Sequence, residues 1–296
     1  MVPPIMTAPS PSFKTSFNPD PRTPRLKLPR GACDTHFHVF GPQRQFPFAP
    51  ERSYTPTCDA PKETLFALHK QMGIERGVVV QSAAHGFDNS AAADLLSASK
   101  NYRGVALAPA STATVELKQL DKLGFRGVRF HYMEHLGKGD RIEDVLAMAT
   151  RLAAIGWHLQ IHTSRIAELT PALKRSPVPV VIDHMGRIDA SKGIDHPDFR
   201  ALLSLLSEKH VWVKLSGSER ISRQRAPWTD AVPFARKLVA EFGQRAVWGS
   251  DWPHPNLKEV PDDGDLVDLI AEIAPDEAQR KALLVDNPQR LYGFPA

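Results

Sequence analysis

His36-Phe37-His38 closes one strand-like run, and Gly249-Ser250-Asp251-Trp252-Pro253-His254 closes another near the far end of the chain. Residues two apart on a β-strand share a face, so the imidazoles of His36 and His38 can enter one cavity. An aspartate ending a distant strand supplies the oxygen that two nitrogens lack, as a metal ligand or as a base toward water. More side chains able to do chemistry fall at the ends of strand-like runs: Gln81 and Ser82, Arg129 and His131, His162, His184 with Arg187, and Ser216. Any one of the 12 histidines is more often a hydrogen-bonded structural residue than a ligand. Several of them at the ends of the first, fifth and sixth runs outweigh that reading jointly.

The elements that must position these residues are readable from periodicity. Strand patterns occupy 31–36, 77–81, 104–108, 127–131, 157–162, 178–184, 210–216 and 245–251. Amphipathic or Ala/Leu-rich helical stretches lie between them at 61–72, 88–100, 114–123, 141–155, 166–175, 197–209 and 228–242, and a last helical region runs from 265 to 284. Eight β/α alternations predict a (β/α)₈ TIM barrel, whose chemistry sits at the C-terminal ends of its strands. An open doubly wound sheet would carry a Gly-rich phosphate loop after its first strand, and none is present.

Composition sets the remaining bounds. A chain of 296 residues, 42% hydrophobic and 24% charged, can bury one barrel-sized core. Residues 31–296 are expected to form it as a single domain. Residues 1–30 hold eight prolines and five basic residues against Asp20, which describes an extended or disordered basic arm, read as a solvated tail. The arm accounts for the whole formal charge of +4, so no nucleic-acid surface is expected. Cys33 and Cys58 make no disulfide framework, no apolar stretch approaches the ~20 residues of a membrane span, and a cytoplasmic protein follows. Without heptads or a long exposed apolar stripe, a monomer is the default.

The arrangement resembles the amidohydrolase superfamily, matched here by His36, His38, His162, His184 and Asp251. Arg129 and His131 occupy the fourth strand end, where a carbamylated lysine bridges two metals in some relatives, so at most a mononuclear site is expected. The segments Asp34 to Pro42, Gln45 to Phe48, Val181 to Arg187, Trp248 to Asn256 and Asn287 to Tyr292 are similar to a lactonase group that includes enzymes opening pyrone dicarboxylate and sulfomuconolactone. The resemblance implies hydrolysis of a small anionic lactone in bacterial aromatic-acid catabolism. Asp251 would activate water, with His184, His36 and His38 completing the catalytic set.

The metal question stays open in the sequence. His36, His38, His162 and Asp251 suffice for one divalent ion, zinc or manganese, whereas the resembling pyrone lactonase works without a metal. Arginine offers a rigid donor fork to carboxylate or sulfonate, and Arg129, Arg187 and Arg220 lie at or just beyond strand ends. His131, His135, His85, Tyr54 and Ser82 complete the expected substrate contacts. By eye, the pyrone lactonase has tyrosine in place of His162 and arginine in place of His135, which favours 4-sulfomuconolactone, opened to maleylacetate and sulfite, over 2-pyrone-4,6-dicarboxylate. A metal-dependent decarboxylase of the superfamily would use a similar ligand set. A sugar-acid lactonase would need fewer cations, and a non-enzymatic metabolite sensor would bind without turnover.

Overall fold

A computed structural model describes residues 15–136 and 139–295. The eight expected strands are β1 (Cys33–Phe37), β2 (Arg76–Val80), β3 (Tyr102–Leu107), β4 (Phe125–Tyr132), β5 (His158–Thr163), β6 (Val180–Ile182), β7 (Val211–Lys214) and β8 (Ala246–Val247). They pair in parallel in sequence order. The ring closes where Thr35 N–H donates to Trp248 O at 2.9 Å and Asp251 N–H to His36 O at 2.7 Å. Gly249 permits that approach, since a Cβ there would lie 2.6 Å from the backbone nitrogen of His36.

Helices α1 (Lys62–Met72), α2 (Ser90–Ala98), α3 (Thr114–Lys122), α4 (Ile142–Ala153), α5 (Ile166–Leu173), α6 (Pro197–Leu206), α7 (Ser218–Ile221), α8 (Val232–Phe242), α9 (Asp263–Ile273), α10 (Glu277–Lys281) and α11 (Asn287–Tyr292) fill the connections. In α4 the buried residues are Val145, Met148, Ala149 and Leu152, the i, i+3, i+4, i+7 stripe of a helix lying on a sheet. Each such apolar side chain contributes about 1.5–3 kcal/mol on burial. Strand residues divide by parity in the same way. Leu159 and Ile161, or Val211, Val213 and Leu215, join the helices in the core. Gln160 and His162, or Lys214 and Ser216, have the opposite parity and are also buried.

Several strands end earlier than their sequence patterns, and after β6 and β8 the backbone turns sharply. β6 stops at Ile182 because His184, Met185 and Arg187 take left-handed backbone angles, with φ of 49°, 52° and 53°. β8 stops at Val247, and Asp251 has a φ of 63°. Such conformations cost free energy in non-glycine residues and persist only where the surroundings enforce them. Their effect is to turn His184 and Asp251 out of the sheet direction.

The described part of the arm differs from a solvated tail. Residues 15–30 form no helix or strand but lie against α9: Asn18 Nδ2 donates to Asp262 at 2.9 Å, Arg22 Nη2 to Asp268 at 2.7 Å, and Arg25 Nε to Asp268 at 3.0 Å. Phe17 is buried, 5.1 Å from the Trp252 ring. Two of the five basic charges read as solvated, Arg22 and Arg25, are thus matched by acids of the same chain. Residues 1–14 lie outside the described residues. No described helix is long and apolar enough to cross a membrane.

Candidate active site

The C-terminal ends of the strands surround a cavity of about 470 Å³ lined by His38, Tyr54, Ser82, Arg129, His131, His135, His162, His184, Arg187, Glu219, Arg220 and Asp251, among others. At its floor three imidazole Nε2 atoms converge on Asp251 Oδ1: His38 at 3.4 Å, His36 at 3.5 Å and His184 at 3.9 Å. Their Nδ1 atoms are anchored. His38 Nδ1 lies 2.7 Å from Val80 O, His184 Nδ1 lies 2.9 Å from Ser216 Oγ, and His36 Nδ1 lies 3.3 Å from both Lys214 Nζ and Asp183 Oδ1. Rings held this way keep a fixed orientation, the usual property of histidines in catalytic and metal sites.

Asp251 is also held from the side. Arg220 Nε donates to its Oδ2, and Arg220 Nη2 donates to Pro255 O at 3.1 Å. Burial alone would raise the Asp251 pKa, but Arg220, with His184, His38 and His36 behind it, holds the carboxyl well below the usual carboxylate range. The group is therefore an anion with one oxygen tied and the other facing the histidines. Burial pushes His184 down to about 3, so its ring is neutral near neutral pH. Burial and the Lys214 ammonium likewise keep His36 neutral.

Beneath this floor lies a charged layer. Asp183 accepts from Arg129 Nε at 2.7 Å and from Gln160 Nε2 at 3.1 Å. Lys214, fully buried, donates to Thr35 O at 2.8 Å and Gln160 Oε1 at 2.9 Å, with Asp183 Oδ1 at 3.7 Å. Burial pushes the Lys214 ammonium down to about 8 against the pull of Asp183. The opposite balance holds for Asp183, where Arg129, His36 and Lys214 overcome burial and keep it ionised. Lys214, Asp183, Gln160 and Glu219 were absent from the expected site. One signal was available for Lys214: it stands two residues before Ser216 on the same strand, and so shares its face.

Most of the expected substrate contacts come together. Arg129, Arg187, Arg220, His131, His135, Tyr54 and Ser82 all line the cavity. The phenol of Tyr54 meets Ser82 Oγ at 2.6 Å, and burial pushes its pKa up to about 12. His85 does not join them. Its Nδ1 lies 3.1 Å from Pro47 O and its Nε2 accepts from Gly41 N–H at 3.5 Å, so both ring nitrogens tie the loop after β1 to the loop after β2.

The expected ligand set also needs revision. Among the described residues, ligand atoms of His36, His184 and Asp251 lie within 4.8 Å of one another. His162 is turned to His131 instead, Nδ1 to Nδ1 at 3.2 Å. The left-handed turn after β6 brings in His184, whereas His162 still follows the direction of β5. His38, with its Nε2 3.4 Å from Asp251 Oδ1, is not part of the three-residue group. The donor types fit one divalent ion: two anchored imidazoles, a carboxylate, and a buried His36 Nε2 without a hydrogen-bond partner.

The Glu219 side chain is buried, and neither carboxyl oxygen has a hydrogen-bond partner among the described residues. Burial pushes its pKa up while Arg220, 3.6 Å away, opposes. An acid with a raised folded pKa holds its proton more tightly when folded, so stability falls as pH rises from its ordinary value of ~4.3 through the raised one. Glu219→Gln carries no such proton. The melting temperature of the variant minus that of the wild type should increase between pH 5 and pH 8 in thermal denaturation; a constant difference would contradict the assignment.

Comparison with known proteins agrees with this geometry. The sequence profile of the family described as Amidohydrolase matches residues 33–294. A 2-pyrone-4,6-dicarboxylate hydrolase of Comamonas testosteroni is 46% identical, covering 92% of this chain and 93% of its own. A 4-sulfomuconolactone hydrolase of Hydrogenophaga intermedia is 40% identical, covering 91% of each. A crystal structure from Agrobacterium tumefaciens superposes with a TM-score of 0.82 at 30% identity, over 92% of this chain and 99% of the other. With its eight-stranded barrel and its histidine and aspartate floor, the chain belongs to the amidohydrolase family.

Proposed function

We propose that this cavity hydrolyses a small anionic lactone. The observation that carries the reading is Arg187, on the cavity wall and bound by no carboxylate among the described residues. Burial, with repulsion from Arg220, pushes its pKa down to about 10, which leaves it cationic near neutral pH. A half-buried guanidinium without a counter-ion among the described residues, lining the same cavity as Arg129 and Arg220, is a receptor for a ligand carboxylate or sulfonate.

The lactone would seat its anionic group on Arg187 and present its ring ester to Asp251. Arg220 occupies Asp251 Oδ2, which leaves Oδ1 to take a proton from water as the water oxygen bonds to the carbonyl carbon. The ring C–O bond then breaks, and the freed oxygen takes a proton as the chain opens. The anchored imidazoles of His36, His38 and His184 orient the water and the carbonyl oxygen. A divalent ion held by His36, His184 and Asp251 would supply Lewis acidity at this point.

Of the two lactones named for the relatives, 4-sulfomuconolactone is the preferred substrate; after its ring ester opens, the freed hydroxyl loses its proton and becomes a carbonyl as the C–S bond breaks, and sulfite leaves with the bonding pair to give maleylacetate. His135 at the cavity rim and His162 inside it replace the arginine and tyrosine expected for a planar dicarboxylate. The higher identity to the pyrone hydrolase favours 2-pyrone-4,6-dicarboxylate as the second reading. We place the enzyme in the cytoplasm as a monomer acting on small molecules rather than nucleic acid.

Purified protein mixed with each lactone, following ring absorbance and sulfite release, separates the readings. Stoichiometric sulfite supports the first, and opening of the pyrone alone supports the second. If neither ring opens, the lactonase reading fails. Arg187→Met should lower kcat/KM about 10–100-fold through KM, the loss of one charged hydrogen-bonding contact; an unchanged KM in steady-state kinetics would remove Arg187 from the substrate cradle.

A further inference from the structure

We propose that His85 is a positioning residue: its neutral ring latches the loop of residues 41–59 to the turn after β2, so holding Tyr54 on the cavity wall, and protonation of the ring opens the latch. The role given to Tyr54 rests on the lactone reading of the cavity. The latch itself is tested without substrate.

The loop has little else to hold it. Phe40 and Ala60 exchange backbone hydrogen bonds of 2.9 and 2.8 Å that pinch its two ends together, and residues 41–59 between them form no helix or strand. A segment of this length without secondary structure depends on specific ties for a fixed conformation. Among the described residues, its hydrogen bonds to the rest of the chain go to Ser82, Ala84 and His85, apart from a contact of Cys58 with Ser16 at 3.9 Å. Ala84 O accepts from Ala49 N–H at 2.9 Å, and Ser82 Oγ meets the Tyr54 phenol at 2.6 Å. His85, buried with the Phe48 ring 5.1 Å from its own, supplies the other two ties.

Those two ties dictate the state of the ring. Pro47 O, 3.1 Å from Nδ1, can only accept, and Gly41 N–H, 3.5 Å from Nε2, can only donate. The ring therefore carries its one proton on Nδ1 and a lone pair on Nε2, a combination that only the neutral imidazole offers. A proton added at Nε2 would face the Gly41 N–H, donor against donor, where the chain enters the loop. Burial disfavours the charged ring, while the Pro47 carbonyl and the carboxylates of Asp88 and Asp59 favour it. Burial wins, and the pKa lies below its ordinary value of ~6.5. The latch is thus closed at neutral pH and opens as pH falls through that lowered value.

The link to the cavity is short. Ser82 caps the same turn that His85 ends, with Ala84 N–H donating to Ser82 Oγ at 3.1 Å. The ring that anchors the loop and the hydroxyl that meets Tyr54 therefore belong to one rigid turn. Releasing the loop from His85 frees Tyr54 to leave Ser82 and the cavity wall that both line.

Amide hydrogen exchange of the whole protein tests the latch, read by mass spectrometry on peptides covering 41–59 and corrected for the intrinsic pH dependence of exchange. At pH 7 these peptides should exchange about 10-fold faster in His85→Leu than in the wild type, the effect of losing two modest hydrogen bonds. In the wild type they should quicken as pH is lowered, in step with the His85 ring signal in proton NMR, assigned by its loss in the variant. The variant should lack that dependence. With a lactone as substrate, His85→Leu should raise KM about 10-fold with a smaller change in kcat, the signature of a displaced binding contact. Equal exchange in variant and wild type overturns the latch, as does wild-type exchange that ignores the ring titration. Faster exchange with an unchanged KM overturns the positioning of Tyr54. If the wild type opens no lactone, the lactonase reading fails and exchange still decides the latch. Should His85→Leu not fold, His85→Gln, which does not titrate either, takes its place with the same expected loss of pH dependence.

Discussion

Asp251→Asn should lower kcat by at least ~10³-fold, in the range expected for loss of a general base and of the charge that orients its neighbours. The amide keeps the shape of the side chain and an oxygen for Arg220, so the fold and KM should change little. The comparison is made by steady-state kinetics beside circular dichroism of the same preparation. Retention of a tenth or more of the wild-type turnover would show that another group takes the proton from water. The size of the expected loss follows from the geometry: Asp251 is the carboxylate on which His36, His38 and His184 converge, and Arg220 leaves it a single untied oxygen.

The largest expected effect on stability belongs to a residue that touches no substrate. Asp183→Asn removes the anion between Arg129 and Lys214, both buried. Breaking a buried ion pair from one side leaves uncompensated charge, and the loss should be about 3–5 kcal/mol in urea denaturation. Lys214→Met in the same chain should recover part of it, because the double variant no longer holds an unmatched ammonium in the interior. A loss below about 1 kcal/mol would mean that the layer under the cavity is hydrated or rearranged and that Asp183 does not neutralise it.

The barrel was legible in the sequence because its evidence is periodic and local. Parity along β5 separates Leu159 and Ile161 from Gln160 and His162, and the stripe on α4 repeats at helical spacing. His36, His38 and Asp251 were legible as a group because two strand ends carried them. The choice between His162 and His184 was not, since it depends on the left-handed turn at His184 to Arg187, which no local preference of those residues dictates. His85 was misread because a histidine beside a strand end looks the same whether it faces a cavity or ties two loops. Lys214 and Asp183 escaped for a different reason: a lysine or aspartate is usually a surface residue, and only its partners reveal it as interior.

The seat of Phe17 against Trp252 has a practical consequence. Trp252 follows Asp251 directly, so the arm packs against the segment that carries the proposed base. Proteolytic trimming of the leader beyond Phe17 would strip one side of that tryptophan bare, and the damage would register at the reacting carboxylate. An arm that reads as a solvated tail is, from Phe17 onward, part of the mounting of the cavity floor.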